Sequence, residues 1–353
     1  MAKLITSDLT LGAREAETVS SVIFERVFNE SDLAEYHDIE TGIDVKTQIA
    51  FAGRLGLLGK VQDTDSCAPE ESDGFVLSEK FWTPVLEEFR LRHCQKDLDG
   101  LIKIFRKAQR VNPDFFDAVG SEDFGIIIAA VETALKENIH RKVWFNDKQA
   151  AIQPTGVFTT GTDLDYFNSF DGLFKQIFVD VTANKISRVP VSVNAAATYT
   201  AQQLPEDAAL GILEKLVTTA DERLVAADDA FILVTRSIAD NYRASLRNKN
   251  LGSGFVEVVE QGRPKLYFDG IEIKVRYDWD RYIKTYQNNG TKYNLPHRAV
   301  FTTKSNIPVG TLSDQDLAKL DVFYDKTQKA NFIDAAYTID AKLLEDYMVV
   351  AAY

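Results

Sequence analysis

The chain has 353 residues, more than one hydrophobic core usually holds, so two or more compact lobes are expected. Its composition, 45% hydrophobic and 26% charged, is typical of a folded soluble protein, and its net charge of −13 argues against a dedicated nucleic-acid-binding protein. Its two cysteines, Cys67 and Cys94, are too few for a disulfide framework and favour a reducing compartment. The first eight residues lack the apolar core of a secretory signal, and no apolar run is long enough to span a bilayer.

The first predicted element is a short amphipathic helix over residues 13–28. Val19, Val22, Ile23 and Val27 recur there at helical spacing. A single amphipathic helix needs a surface on which to bury its apolar side, either on its own body or on a neighbour.

A long β-ribbon is predicted next. Residues 43–51 alternate between apolar and polar side chains with period two, and a second extended run covers residues 75–94. Pro84 confines that second run to an edge or a bulge. A glycine-rich and then acidic segment, residues 53–73, forms the predicted tip. About twenty extended residues span about 65 Å, so the ribbon must bend, fold back or project from the body.

The strongest predicted helix covers residues 121–142. Its apolar stripe consists of Phe124, Ile127, Ile128, Val131, Leu135 and Ile139. Further helices are predicted over residues 95–109 and 170–181, and a proline–glycine break lies at residues 153–156.

Helices and strands mix without a regular βαβ alternation from residue 187 onward, so the predicted fold class is α+β. Helices are expected from Pro205 and over residues 237–248. Strands are expected at residues 231–235, 255–259, 299–303, 322–324, 332–339 and 347–353. A hairpin is expected over residues 266–275, because Asp269-Gly270 is a strong type I′ turn signal. The apolar character of residues 348–353 predicts that this segment is held in a sheet.

Several sequence patterns could carry chemistry, but each has a simpler interpretation. Residues 53–60 (GRLGLLGK) resemble a phosphate loop, yet Arg54 and Val61 occupy positions that require other residue types. The pairs Asp163/Asp165 and Asp278/Asp280 could hold a divalent ion, although turn or cap positions explain such pairs more often.

The histidines and the basic residues give no clearer signal. His37, His93, His140 and His297 are scattered, and none has the spacing of a zinc site. Arg236, Arg243, Arg247 and Lys249 cluster near one helix, where they could meet phosphate or acidic neighbours, and a solvated surface is the simpler interpretation. No catalytic residue, cofactor site or metal site is therefore predicted, which favours a structural protein over an enzyme.

The order of these elements resembles the major capsid proteins of tailed bacteriophages, which share the Hong Kong 97 type fold. The resemblance rests on the ribbon at residues 43–94, including Phe81-Trp82-Thr83-Pro84, and on the long helix followed by residues 153–158. It also rests on the closing block from Leu295 to Tyr353.

The resemblance implies a division into four parts. Residues 1–42 would be an N-terminal arm, and residues 43–95 an extended loop lying across an adjacent subunit. Residues 96–186 and 326–353 would form a peripheral domain around the spine helix at 121–142. Residues 187–325 would form an axial domain.

The resemblance also implies the partners. The chain would assemble with itself into hexamers and pentamers and enclose double-stranded DNA without sequence-specific binding. Portal, scaffolding or decoration proteins are expected, and a membrane is not. The product would be made in the host cytoplasm and reside in the virion. The candidate residues for subunit contacts are Val19, Ile23, Arg54, Leu57, Lys60, Phe75, Trp82, Arg243 and Arg247.

Three alternatives remain open from the sequence. One is an encapsulin-like nanocompartment shell with the same fold, and another is a different virion part such as a tail tube subunit. The third is a metal- or nucleotide-dependent enzyme that uses the aspartate pairs.

Overall fold

The fold is seen in a computed structural model that describes residues 32–43, 46–49, 80–94, 122–149, 164–249, 256–257, 265–312, 321–325 and 330–353. The predicted helices at 13–28 and 95–109 and the predicted ribbon tip lie outside these residues. The helices are α1 Asp32–Tyr36, α2 Glu122–Phe145, α3 Leu173–Thr182, α4 Ala208–Thr219, α5 Glu222–Val225, α6 Arg236–Asn248 and α7 Tyr277–Tyr286. The strands are β1 Ile39–Glu40, β2 Gln48–Ile49, β3 Lys80–Phe81, β4 Val85–Cys94, β5 Ser187–Val189, β6 Ala230–Val234, β7 Val256–Glu257, β8 Lys265–Phe268, β9 Ile271–Val275, β10 Ala299–Thr303, β11 Val309–Thr311, β12 Asp321–Asp325, β13 Ala330–Ala341 and β14 Val349–Ala352. Short 3₁₀ turns lie at Leu164–Tyr166, Ser192–Ala195 and Asp346–Met348.

A mixed seven-stranded sheet lies between two hydrophobic cores. Its strand order is β5-β14-β10-β6-β9-β8-β7, in which β6–β9 and β14–β5 are parallel pairs. Successive residues of β6 point to opposite sides, so Phe231 and Leu233 enter one core while Ile232 and Val234 enter the other. Burial on both sides explains why this strand is an unbroken apolar run.

The two cores differ in their helices. The first core contains α2, α3 and α7, with Trp144 packed edge-on against Trp279 at 4.6 Å between ring centroids. The second core is closed by α4 and α6, whose buried side chains include Leu213, Leu216 and Tyr242. The helix predicted over 237–248 is thus confirmed as α6, and the helix predicted from Pro205 is present as α4 but begins at Ala208, because Asp207 has a left-handed φ of 61°.

The predicted long helix is confirmed as α2, which continues three residues further than expected. Val131 and Ile139 of the predicted stripe are buried. The last turn, Val143-Trp144-Phe145, is also buried because α3 and α7 pack around it. This helix is called the spine helix below.

A five-stranded sheet has β13 at its centre. On one side β13 pairs with β11 and β12, and on the other it pairs with β4 through ten consecutive residues, from Val85 opposite Ile339 to Cys94 opposite Ala330. Strand β1 extends the sheet by pairing in parallel with β11.

The ribbon differs from its prediction. Residues 80–81 do pair antiparallel with residues 48–49, but the run breaks at Trp82, Thr83 and Pro84, and residues 85–94 pair with β13 instead of the first arm. Proline has no N–H for a ladder, which accounts for a break at this position. Among the described residues, only those of β2 and β3 form part of the predicted long ribbon.

Other strand predictions are confirmed, including the hairpin β8–β9 and the closing strand β14. Asp269 and Gly270 have φ values of 48° and 83°, as a type I′ turn requires. Strand β14 is buried between β5 and β10. The sheets also join strands across the implied domain boundary at 325/326, since β14 pairs with β10 and β13 pairs with β11.

Gly172 marks the closest approach of α3 to the end of the spine helix. A Cβ atom there would lie 2.9 Å from both Lys142 O and Asn146 N, which are backbone atoms that cannot rotate away. We expect Gly172→Ala to lower the free energy of unfolding by about 1–3 kcal/mol through overpacking, as urea unfolding would measure. Gly211→Ala is the matched control, because its Cβ would meet nothing within 4 Å and alanine favours a helix by up to about 1 kcal/mol. Equal effects of the two substitutions would contradict the expectation.

Candidate functional site

The base of the ribbon is held by a buried tryptophan. Trp82 is 2% exposed and packs in a small core with Ile43 and Ile49, and its backbone N–H donates to Thr47 O at 2.8 Å. Its ring lies against Gly310 of β11, where a Cβ would come within 2.9 Å of the indole. Only glycine leaves room for this ring beside the strand.

Polar contacts fasten the same base to the end of β13 and the loop that follows. Lys80 Nζ donates to Leu343 O at 2.8 Å and pairs with Asp346 at 3.0 Å. Thr83 N donates to Asp340 Oδ2 at 2.7 Å, and Lys342 pairs with the same carboxylate at 3.1 Å. Burial raises the pKa of Asp340, against the opposing effect of Lys342. Residues 80–83 are therefore fixed to the body at the point where the chain returns from the predicted ribbon tip.

A second polar centre, the arginine cluster, consists of His37, His140, Arg276 and Asp278. Arg276 is 2% exposed and forms two hydrogen bonds to Asp278, at 2.9 Å from Nε and 2.6 Å from Nη2. Its Nη2 also lies 3.1 Å from His140 Nδ1, and the guanidinium stacks on the Tyr36 ring at 4.5 Å. The cluster thus joins α1, the spine helix and the start of α7.

His37 occupies the deepest position in the arginine cluster. Its Nδ1 lies 2.7 Å from Ile307 O, and Trp144 Nε1 donates to its Nε2 at 3.2 Å. These partners require a neutral ring with the proton on Nδ1. Burial, followed by the Arg276 charge, lowers the pKa of His37 to about 3 and that of His140 to about 4. Burial acts to raise the pKa of Asp278, but Arg276 outweighs it and the pKa lies below its ordinary value.

The aspartate pair of α7 does not form a metal site. Asp278 turns to Arg276, whereas Asp280 Oδ2 accepts a hydrogen bond from the backbone N–H of Arg236 at 2.6 Å. Both stand in the first turn of a helix, as the simpler interpretation expected. Of the other pair, Asp165 is exposed and Asp163 lies outside the described residues. Within the described ranges, no group of three His, Cys, Asp or Glu residues could hold a metal ion.

The other histidines and the phosphate-loop-like segment do not form a chemical site among the described residues. His297 is buried, with Nδ1 2.7 Å from Ser237 Oγ and Nε2 2.5 Å from Gln202 O, so it holds a loop in place. His93 and Cys94 close β4. The phosphate-loop-like residues 53–60 lie outside the described residues.

The basic residues of α6 mostly face acidic neighbours. Arg236 pairs with Asp240 at 3.0 Å and Arg243 pairs with the same residue at 3.1 Å, all on the solvent side of the helix. Lys249 pairs with Asp207 at 2.9 Å, and Arg247 is exposed. On the single subunit this group is thus exposed or half exposed, and most of its members meet acidic side chains of their own chain.

The structure describes three of the nine predicted subunit-contact residues. Arg243 and Arg247 lie on α6, and Trp82 is enclosed by its own subunit, which leaves little of its indole for a neighbour. Val19, Ile23, Arg54, Leu57, Lys60 and Phe75 lie outside the described residues.

The sequence prediction missed the groups that fasten the ribbon base. Lys80, Asp340 and Asp346 stand in no recognisable motif, because their partners are more than 250 residues away in the chain. Among the described helices, none is long and apolar enough to span a bilayer.

No protein-family model matches the chain, and no curated protein matches it. Solved structures do match. A chain of the satellite phage P4 procapsid, whose structure includes the size determination protein, aligns with a TM-score of 0.55 at 10% identity, covering 94% of this chain and 98% of that one.

Two other similar structures are a cyanophage P-SCSP1u capsid and the SrpI encapsulin complex of Synechococcus elongatus. The cyanophage chain gives a TM-score of 0.48 at 14% identity, covering 90% of this chain and 86% of that one. The encapsulin chain gives 0.49 at 8% identity, covering 91% and 85%. TM-scores below 0.5 do not distinguish a phage capsid from an encapsulin shell.

The procapsid match, together with the spine helix and the two sheets, shows that this chain shares the fold of the P4 procapsid chain. That fold is the Hong Kong 97 type, so the fold predicted from the order of the elements is confirmed.

Proposed function

We propose that this chain is a major capsid protein, which assembles with itself into hexamers and pentamers that form an icosahedral head around phage double-stranded DNA. The observation that carries the proposal is the fold shared with a procapsid chain over nearly the whole length of both. Identity of 10% shows the fold alone, and the features below add support for the function.

The ribbon base supports a role in assembly. Trp82, Lys80 and Thr83 hold the two ends of the segment between residues 49 and 80 against the body. A rigid base gives a long segment a defined direction, so that it can meet the same surface on each neighbour. We therefore keep residues 43–95 as the proposed extended loop, with β4 as its inner part attached to the body.

The use of charge supports a structural role. Several buried and half-buried charges form internal ion pairs that fasten elements together, such as Arg276–Asp278 and Lys175–Asp147. The net charge of −13 fits a shell that contains packed DNA without gripping it. No catalytic role is proposed.

The remaining parts of the proposal follow the resemblance. Residues 1–42 are the proposed arm, 96–186 with 326–353 the peripheral domain, and 187–325 the axial domain. Contacts between subunits are proposed at Val19, Ile23, Arg54, Leu57, Lys60, Phe75, Arg243 and Arg247. Portal, scaffolding or decoration proteins are the proposed partners, with assembly in the host cytoplasm and residence in the virion.

Electron microscopy of the purified protein tests the proposal. We expect closed polyhedral particles, and in infected cells we expect these particles to contain DNA. Tubes or rings would indicate a tail component, cargo-filled cages would indicate an encapsulin-like shell, and a monomer at every concentration and salt would overturn the proposal.

Deleting residues 54–72 tests the role of the ribbon segment. The fastened base at residues 80–83 stays intact in this variant, so we expect an unchanged circular dichroism spectrum and melting temperature but no particles. Gly211→Ala serves as the control, and we expect it to keep both the folded body and the particles. Particles of normal size after the deletion would contradict the role given to this segment.

A further inference from the structure

Strand β4 has one paired edge and one open edge. Its paired edge meets β13 along its whole length, and within the described part of the chain no other strand pairs with it. A strand edge with unpaired N–H and C=O groups is a template for another strand. The open edge borders a groove of about 750 Å³ between β4 and the spine helix.

We propose that β4 pairs antiparallel with β4 of a second copy of this chain, across a two-fold axis that passes through Phe89. The pairing joins two five-stranded sheets into one continuous sheet. This pairing adds a specific contact to the proposed function, and its biological role rests on that function. A closed shell contains two-fold contacts between its capsomers, and β4 pairing would form one of them.

The charge pattern of β4 is complementary to itself about Phe89. Glu88 and Arg90 are both exposed and lie on the same side of the strand, facing away from the core. With the axis at Phe89, Glu88 of each copy lies directly opposite Arg90 of the other. Opposite charges in directly opposed positions stabilise an antiparallel pair, and this register gives two such pairs at once.

Neighbouring registers are unfavourable. An axis through Glu88 places the two Glu88 side chains opposite each other, and an axis through Arg90 does the same for the two arginines, so like charges oppose in both cases. A shift by one residue places the core-facing side of one strand beside the solvent-facing side of the other. The register centred on Phe89 is the one that satisfies both the charges and the burial.

Arg90 keeps donors for a second carboxylate. Its Nε donates to Asp334 Oδ1 at 2.7 Å and its Nη2 donates to Asp334 Oδ2, while its side chain remains 65% exposed. A guanidinium has five N–H groups, so the intramolecular pair uses only part of its capacity. Asp334 lies opposite Arg90 on β13, so the N–H groups that it leaves unused are the ones available to Glu88 of the second copy on the open side of the strand.

The groove provides room for the core-facing side chains of the second copy. Phe89 and Leu91 of the resident strand line it and are only partly buried, and Val131 and Leu135 of the spine helix form another wall. A second β4 beside the first would direct its own Phe89 and Leu91 to the same side of the sheet. Its open edge would gain backbone hydrogen bonds and its apolar side chains would be covered.

Site-specific disulfide formation tests the register. In a Cys67→Ser, Cys94→Ser background, Glu88→Cys and Arg90→Cys proteins are prepared separately, then oxidised alone and as a mixture. Residues 88 and 90 would be directly opposed, with Cβ atoms about 4.5–5.5 Å apart, whereas each cysteine is about 7–8 Å from its own counterpart. A disulfide needs Cβ atoms about 3.5–4.5 Å apart, which small shifts allow only for the opposed pair. We expect disulfide-linked dimers in the mixture and little in either separate sample.

Two results would overturn the proposal: an absence of dimers in the mixture, or dimers formed as quickly in either separate sample. Thermal unfolding of each variant confirms that it is folded, since both substitutions replace exposed side chains. Electron microscopy of the same samples separates the two proposals. Particles without the mixed disulfide would retain the shell and reject this contact, whereas the mixed disulfide without particles would retain the contact and reject the shell.

Discussion

Replacing Asp278 with alanine is expected to lower the free energy of unfolding by about 3–5 kcal/mol, because it strands a buried positive charge. Arg276 is 2% exposed, and the two hydrogen bonds from its guanidinium to Asp278 are its only ion pair within the described residues. Without the carboxylate, the cation keeps its stacking on Tyr36 but loses its counter-charge. Urea unfolding followed by circular dichroism measures the loss.

Asp240→Ala is the matched control for this prediction. It removes an aspartate that pairs with both Arg236 and Arg243 on the solvent side of α6, and each such exposed pair contributes about 1 kcal/mol or less. Combining Asp278→Ala with Arg276→Met should recover part of the stability, since it removes the unpaired charge. If the two alanine substitutions had equal effects, Arg276 would not be buried as described.

Acidification is expected to destabilise the subunit through His37. Its folded-state pKa of about 3 lies below its ordinary value of 6.5. Between these values the unfolded chain binds a proton that the folded chain does not, so this contribution to stability is fully present above pH 6.5 and is lost as the pH falls. The loss amounts to about 3 kcal/mol between pH 7 and pH 4.5. His140, whose pKa is lowered to about 4, adds a loss in the same direction.

Comparison with His37→Gln isolates this contribution. Glutamine can donate and accept hydrogen bonds but does not titrate, so the variant is expected to be less stable than the unaltered protein at pH 7. The difference between the two proteins should shrink by about 3 kcal/mol at pH 4.5. A difference that is the same at both pH values would show that His37 does not couple to acid unfolding. The physical reason for coupling is that a protonated Nε2 would face the N–H of Trp144.

Sequence reasoning succeeded where local physics decides the structure. The spine helix carries an apolar stripe over several turns, and the Asp269-Gly270 turn has a strong conformational preference, so both were predictable from a few residues. Helix α7 was missed even though Trp279, Tyr282, Ile283 and Tyr286 have helical spacing. The two aspartates there are predicted at turn or cap positions, with an ion site as the alternative, and no helix is predicted around them.

The partners of strands could not be predicted in the same way. Residues 85–94 are extended as expected, but nothing local says that they pair with residues 330–339 instead of residues 43–51. The same holds for the fastening of Lys80 to Asp346. Long-range pairing depends on the whole set of competing surfaces, which a local pattern does not contain.

The position of β14 determines when a newly made subunit can complete its seven-stranded sheet. Strands β5 and β10 both depend on β14, which lies between them, and the ribosome makes residues 349–352 after every other strand of that sheet. The seven-stranded sheet therefore cannot close until residues 349–352 have been made, and a polypeptide terminated before them lacks the strand that joins its two halves. Such a product would expose apolar edges to chaperones and proteases instead of competing with finished subunits for a place in a particle.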